Sequence, residues 1–239
     1  MLQACLNGNR PRRFHPAIAC TPGELATDAR AAVEAGAEEL HVHPRGTDGE
    51  QSLEPHDIGT ALLAIRESVP GTPVGISTLW DITPGGRARQ APIREWRVLP
   101  DYVSVNLIEE DAPEIMALMI RRGIGIEAGL WSVADALRFM ALPSAERCLR
   151  ILVEINEQDI KAGLHVARDI LAVIEKSGLH LPVLLHGADE TMWPIHEEAL
   201  KRGLDRRIGL EDGVTLPDGR LAADNAELLH MAVSLAGQA

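Results

Sequence analysis

The sequence predicts an α/β protein, a closed single-domain (β/α)8 barrel of the TIM type spanning residues 1–239, and three observations lead there. Short apolar or β-branched runs alternate eight times with longer segments of helical period, the pattern of parallel strands joined by helices. The 239 residues match the size of one such barrel. Polar side chains gather at the C-terminal ends of the runs, where a barrel carries its catalytic groups. A doubly wound open sheet is the competing architecture. It is disfavoured because the first strand-to-helix connection lacks Gly-x-Gly-x-x-Gly and no acidic residue is placed to hold a ribose.

The predicted strands are Leu2 to Asn7, Glu39 to His43, Pro73 to Thr78, Tyr102 to Leu107, Gly125 to Leu130, Cys148 to Ile155, Pro182 to His186 and Arg207 to Glu211. The first helix opens at Thr21-Pro22-Gly23-Glu24, with Thr21 as N-cap, Pro22 at the first position and Glu24 as capping-box partner, and it ends at Ala35-Gly36-Ala37. Helical patterns follow every strand convincingly except the third. There Trp80 to Gln90 is glycine-rich and polar, and only Ile93 to Val98 has helical character.

Composition narrows the function. A net charge of −12 argues against a phosphate-backbone surface, so nucleic acid is not an expected partner. Cys5, Cys20 and Cys148 are an odd number without metal-ligand spacing, as expected of a reducing compartment. No apolar stretch approaches membrane-helix length, and the start runs into Arg10, Arg12 and Arg13 instead of a signal-peptide core, so a cytoplasmic protein without a membrane partner is expected.

The strand ends collect Asn7, Asn9 and Arg10; His41, His43 and Arg45; Ser77 and Thr78; Ser104 and Asn106; Glu127; Glu154 and Asn156; His186; and Arg207, Glu211 and Asp212. In His41-Val42-His43 the two-residue period of a strand puts both imidazoles on one face. A pair of satisfied buried histidines would look the same, but Glu211 at the rim of the eighth strand can complete a site of two imidazoles and one carboxylate with an open position. Zinc suits that donor set best, and ferrous iron or manganese remains open. A Schiff-base alternative is disfavoured, because Lys161, Lys176 and Lys201 all fall in helical segments. Asn156, and with it Ser104, can be assigned the bland role of capping the next helix. Trp80 and Trp131, just past strands three and five, can line the pocket or stack on an adenine, or serve as core or subunit-contact anchors.

Asn7-Gly8, His15-Pro16, Thr21-Pro22-Gly23-Glu24, His41-Val42-His43-Pro44-Arg45, Ser104-Val105-Asn106 and Arg207-Ile208-Gly209-Leu210-Glu211-Asp212-Gly213 occur in an order that resembles the β-keto acid cleavage enzymes. The resemblance implies a zinc-dependent homo-oligomeric barrel that condenses a β-keto acid with acetyl-CoA and releases acetoacetate and a shortened acyl-CoA. It implies His41, His43 and Glu211 as metal ligands. It further implies Arg207 and Asp212 as the pair assisting the proton abstraction that makes an acetyl-CoA enolate. Ser77, by the same resemblance, contacts the substrate carboxylate, with Ser104, Asn106 and Glu127 as further pocket walls.

Two departures accompany the resemblance. Where the relative acting on 3-keto-5-aminohexanoate carries a glutamate against the substrate amine, this chain has Arg10, which implies a neutral or anionic distal end; an arginine paired with a local carboxylate is the bland alternative. The glycine-rich loop and the C-terminal extension of longer relatives are absent, and both bear on how CoA is gripped. A metal-dependent lyase or hydrolase acting on a small carbonyl compound without CoA is therefore the alternative function. His186 is either a proton carrier at the mouth or a histidine hydrogen-bonded to the rim.

Overall fold

The computed structural model describes residues 1–237 and is a closed barrel of eight parallel strands in chain order. The strands are β1 (Leu2–Cys5), β2 (Glu39–Val42), β3 (Val74–Ser77), β4 (Tyr102–Asn106), β5 (Gly125–Leu130), β6 (Arg150–Ile155), β7 (Val183–Gly187) and β8 (Asp205–Ile208). The principal helices are α1 (Pro22–Glu34), α2 (Pro55–Ser68), α3 (Gln90–Glu95), α4 (Ala112–Arg122), α5 (Val133–Met140), α6 (Ile160–Ser177), α7 (Met192–Arg202) and α8 (Asn225–Ala236). The ring closes where Gln3 of β1 faces Arg207 of β8.

The capping box of α1 forms as its sequence specifies: the Glu24 amide donates to Thr21 Oγ1, and the Thr21 amide donates to the Glu24 carboxylate. Between strands and helices lies an apolar shell that includes Leu40, Val42, Ile76, Val103, Val105 and Ile126, all fully buried. Each contributes about 1.5–3 kcal/mol of burial free energy. The third unit is the thin one, as its composition predicts. After β3 the chain makes a 3-10 turn (Gly86–Arg89) and then the six-residue α3, Gln90–Glu95, which starts before the short helical stretch read at Ile93 to Val98 and stops short of its end.

The eighth strand departs from expectation. It is Asp205–Ile208, so Glu211 stands in the turn beyond it and not on the strand. The chain leaves the sheet at Gly209 because β1 comes too close for a side chain: a Cβ there would lie 2.0 Å from the Cys5 carbonyl oxygen. The amides of Asp212 and Gly213 then fold back to donate to the Gly209 carbonyl. That turn throws two successive carboxylates, Glu211 and Asp212, over the barrel mouth. Among the described residues no helix is long and apolar enough to cross a membrane.

Candidate active site

At the C-terminal mouth a pocket of about 320 Å3 is lined by residues on or just past all eight strands. It lies within the usual size range of small-ligand sites. Of the residues named from the sequence, Arg10, His41, His43, Ser77, Ser104, Asn106, Glu154, Asn156, His186, Arg207, Glu211 and Asp212 all line it.

His41 and His43 converge as the strand period requires, their Nε2 atoms 3.3 Å apart. Two clamps hold His43: its amide donates to Asn7 Oδ1, and its Nδ1 meets the Gln51 side-chain oxygen. Glu211 Oε1 lies 3.4 Å from His43 Nε2 and 3.8 Å from His41 Nε2. Gly8 makes room for it; with φ of +53° and a hypothetical Cβ 2.3 Å from Glu211 Cγ, that position admits only glycine without displacement. The donor set fits a divalent transition ion. The ligand atoms lie within 4.8 Å of one another, and Glu211 Oε2 is buried without a hydrogen-bond partner. Burial pushes the His41 imidazolium down to about 3, leaving a neutral ring with a lone pair to give. Burial alone would raise the Glu211 carboxyl, but the Arg207 guanidinium, with His43 beside it, outweighs burial and holds it well below the usual range.

Behind the triplet Arg207 joins both acids. Its Nη2 donates to Glu211 Oε1 at 2.6 Å and Asp212 Oδ1 at 3.0 Å, and its Nε to Asp212 Oδ2 at 3.3 Å. Asp212 Oδ2 also accepts from the Cys5 thiol at 3.0 Å and lies 3.3 Å from His186 Nδ1, while His186 Nε2 is 3.5 Å from Glu154. Burial and Arg207 oppose a charge on His186, yet the carboxylates of Asp212 and Glu154 prevail and push it up to about 9. Asp212 is held at about 2, because Arg207 and His186 outweigh its burial. Glu211, Arg207, Asp212, His186 and Glu154 thus form an ionic chain of five members, with Glu154 at its solvent end.

Several expectations need correction. Glu127 is not a pocket wall. It is 0% exposed and sits in a polar floor made by residues near the N-terminal starts of the strands, accepting from Gln3 Nε2 at 2.7 Å and lying 3.2 Å from Arg150 Nε. The sequence gives its place along the strand but not its depth, which the tilt of the barrel sets. Asn156 does not cap α6; Asp159 does, accepting from the Ala162 amide, and Asn156 lines the mouth. Ser104 likewise faces the pocket. Arg10 lines the mouth with a carboxylate already on it: Nη2 sits on both oxygens of Asp189 at 2.8 Å, Nε donates to the Glu211 carbonyl, and the guanidinium stacks 4.3 Å from the Phe14 centroid. His186 touches two carboxylates of the site. Asp189, Gln51 and the functional contact of Cys5 escape sequence reasoning. A lone Cys-Leu-Asn or Gly-Ala-Asp carries no metal or catalytic spacing, and the partners are distant in the chain.

A model of the beta-keto acid cleavage enzyme family matches residues 1–239. Among characterised relatives, the chain is 26% identical to the 3-oxoadipate:acetyl-CoA acetyltransferase of Cupriavidus necator, over 98% of this chain and 87% of that one. It is 24% identical to the 3-keto-5-aminohexanoate cleavage enzyme of Fusobacterium nucleatum, over 94% and 86%. Among solved structures, apo ObcA superposes with a TM-score of 0.74 at 15% identity, covering 92% of this chain and 61% of that one. The ternary complex of ObcA with a C4-CoA adduct and oxalate gives a TM-score of 0.75 at 15% identity, covering 92% and 63%. The chain thus spans less than two thirds of the ObcA chains, and at such identity the likeness is one of fold.

Proposed function

The chain belongs to the beta-keto acid cleavage enzyme family, and from that premise we propose that it cleaves a β-keto acid with acetyl-CoA as co-substrate, yielding acetoacetate and the CoA ester of the shortened acid. The observation that carries this proposal is the convergence of His41, His43 and Glu211 beside the Arg207–Asp212 pair in one pocket.

His41, His43 and Glu211 would hold a divalent transition ion, zinc being the best match to the donors, which when bound would supply Lewis-acid chemistry to the keto group. Atom balance decides which carbon loses its proton. Acetoacetate keeps the acetyl group of acetyl-CoA and the two carboxyl-end carbons of the keto acid. The new bond therefore joins the thioester carbonyl carbon to the keto acid's α-carbon, and CoA thiolate leaves. Its later attack on the keto carbon breaks the α–β bond and delivers the acyl-CoA, while the released α-carbon recovers a proton. The base thus faces the α-hydrogen of the keto acid and not the methyl group of acetyl-CoA.

Asp212 is the base by position: it is ionised, buried and next to the metal cradle, with Arg207 and His186 fixing its orientation. Ser77, Ser104 and Asn106, on the β3–β4 side of the pocket, offer two hydroxyls and an amide for the substrate carboxylate. The test is to incubate the purified protein with acetyl-CoA and a panel of β-keto acids and to follow acetoacetate and new acyl-CoA by chromatography. Product formation that requires both substrates is expected. Cleavage of a keto acid without acetyl-CoA would favour the lyase or hydrolase reading, to which the direct run from β6 into α6, with no glycine-rich loop, gives some support.

A further inference from the structure

A second cavity, of about 280 Å3, adjoins the catalytic mouth and shares Leu79 and Trp131 with it. Trp80 and Ile108 complete its apolar wall, Ile108 being 57% exposed at the edge of the polar site. The Trp80 indole is braced by the Arg89 guanidinium 4.9 Å from its ring centroid, and Arg89 is itself buried and paired with Glu109 and Asp111. The Trp131 indole N–H is buried without an acceptor in the protein. A braced indole, a second indole and two aliphatic side chains at the edge of a reaction pocket are suited to apolar ligand surface.

Charge decides which part of a ligand belongs there. Three cationic side chains line the mouth, and each already faces carboxylates: Arg10 is bidentate on Asp189, Arg207 lies between Glu211 and Asp212, and His186 lies between Asp212 and Glu154. Among the described residues none of the mouth's cations is left unmatched for a second substrate carboxylate. The groove itself has no basic side chain in its lining, and its polar edge is Asp81, Glu109 and Glu110. With Glu109 paired with Arg89 and Glu110 with Arg87, the lining offers no free cation to hold the phosphates of a CoA nucleotide, so the nucleotide end of the co-substrate is not its occupant.

Resting on the acetyl-CoA-dependent reading above, we propose that the substrate is a β-keto acid with an uncharged apolar substituent, a short alkyl chain or an aryl ring, which extends past Leu79 and Trp131 into the Trp80–Ile108 groove. This separates the chain from relatives whose names specify 3-oxoadipate, with a second carboxylate, or 3-keto-5-aminohexanoate, with an amine. A distal ammonium would instead be drawn to Glu154, on the β6 side of the mouth.

The experiment compares 3-oxopentanoate, 3-oxooctanoate, 3-oxoadipate and 3-keto-5-aminohexanoate as substrates with acetyl-CoA, alongside a tryptophan-fluorescence titration of each acid without acetyl-CoA. The kcat/KM is expected to rise about fourfold per added methylene and to favour 3-oxooctanoate over both charged acids by tenfold or more. Ile108→Asp, at an exposed position outside the catalytic pocket, should lower kcat/KM for 3-oxooctanoate about tenfold while leaving 3-oxopentanoate unchanged, and should weaken the fluorescence response to the longer acid alone. Preferential cleavage of either charged acid would overturn the inference and leave the acetyl-CoA reading intact. So would an equal effect of Ile108→Asp on both chain lengths. Should no acid be cleaved, the acetyl-CoA reading fails, and the titration still decides the inference: saturable 3-oxooctanoate binding weakened by Ile108→Asp supports it, and absence of binding overturns it.

Discussion

Gly8→Ala tests the metal cradle without substituting a ligand. The added Cβ would sit 2.3 Å from Glu211 Cγ, 2.9 Å from its Cβ and 2.9 Å from its Cδ, where van der Waals contact needs roughly 3.5 Å. The collision is with the root of the glutamate as well as its flexible end, so the carboxylate has to move by about 1 Å. Metal–ligand distances tolerate about 0.2 Å, and disturbing the support of a ligand typically costs 10–100-fold in affinity. The backbone at φ of +53° adds about 1–2 kcal/mol of strain for a residue with a Cβ. For a chain of this length that strain lowers the unfolding midpoint by roughly 2–4 K per kcal/mol. The assay is a competition titration of zinc against a chromophoric chelator, run beside thermal unfolding of the metal-free protein. A tenfold or greater loss of zinc affinity together with a modest loss of stability is expected. Unchanged affinity, within twofold, would refute the placement of Glu211 as a ligand held against Gly8.

Arg207→Met removes the cation shared by two buried carboxylates and is expected to cost about 3–5 kcal/mol, measured by denaturant unfolding of the metal-free protein; a loss below 1 kcal/mol would show that Glu211 and Asp212 do not depend on it. Asp28 gives a pH dependence. Burial, opposed by the Asn225 amide and reinforced by Asp224, raises its carboxyl from 3.8 to about 7. Between those values the native chain holds a proton that the unfolded chain has released, so this group's contribution is full below pH 4 and is lost as pH rises through 7. Asp28→Asn is therefore expected to gain about 2 kcal/mol relative to the parent at pH 8 and little at pH 4, the half-buried position halving the full linkage value; an equal gain at both pH values would contradict the assignment.

How far the sequence carries depends on whether a feature is local. The His41/His43 pair is legible because a strand's period is a property of three residues, and the α1 capping box because it needs four. The barrel is legible because eight strand–helix alternations leave few closed alternatives. Glu211 is legible as a strand-end acid, but the turn that delivers it depends on Gly209 packing against β1, two hundred residues away in the chain. Glu127 was misplaced because the depth of a side chain inside a barrel follows from strand tilt and stagger, which alternation does not encode. Arg10 has its carboxylate on Asp189, 179 positions on, in the loop after β7. Loop-to-loop pairs of that kind leave no spacing to read. The same holds for Cys5, which reads as a small core residue and turns out to donate to Asp212.

The proposed chemistry needs one divalent transition ion held by two imidazoles and a carboxylate at the barrel mouth. Elemental analysis of the purified protein, repeated on His41→Ala and Glu211→Ala, addresses it directly. One transition-metal equivalent per chain, lost in both variants while their far-UV circular dichroism is retained, is the result predicted. A chain that binds no such ion after incubation with zinc, iron and manganese, or one whose metal survives both substitutions, would contradict it.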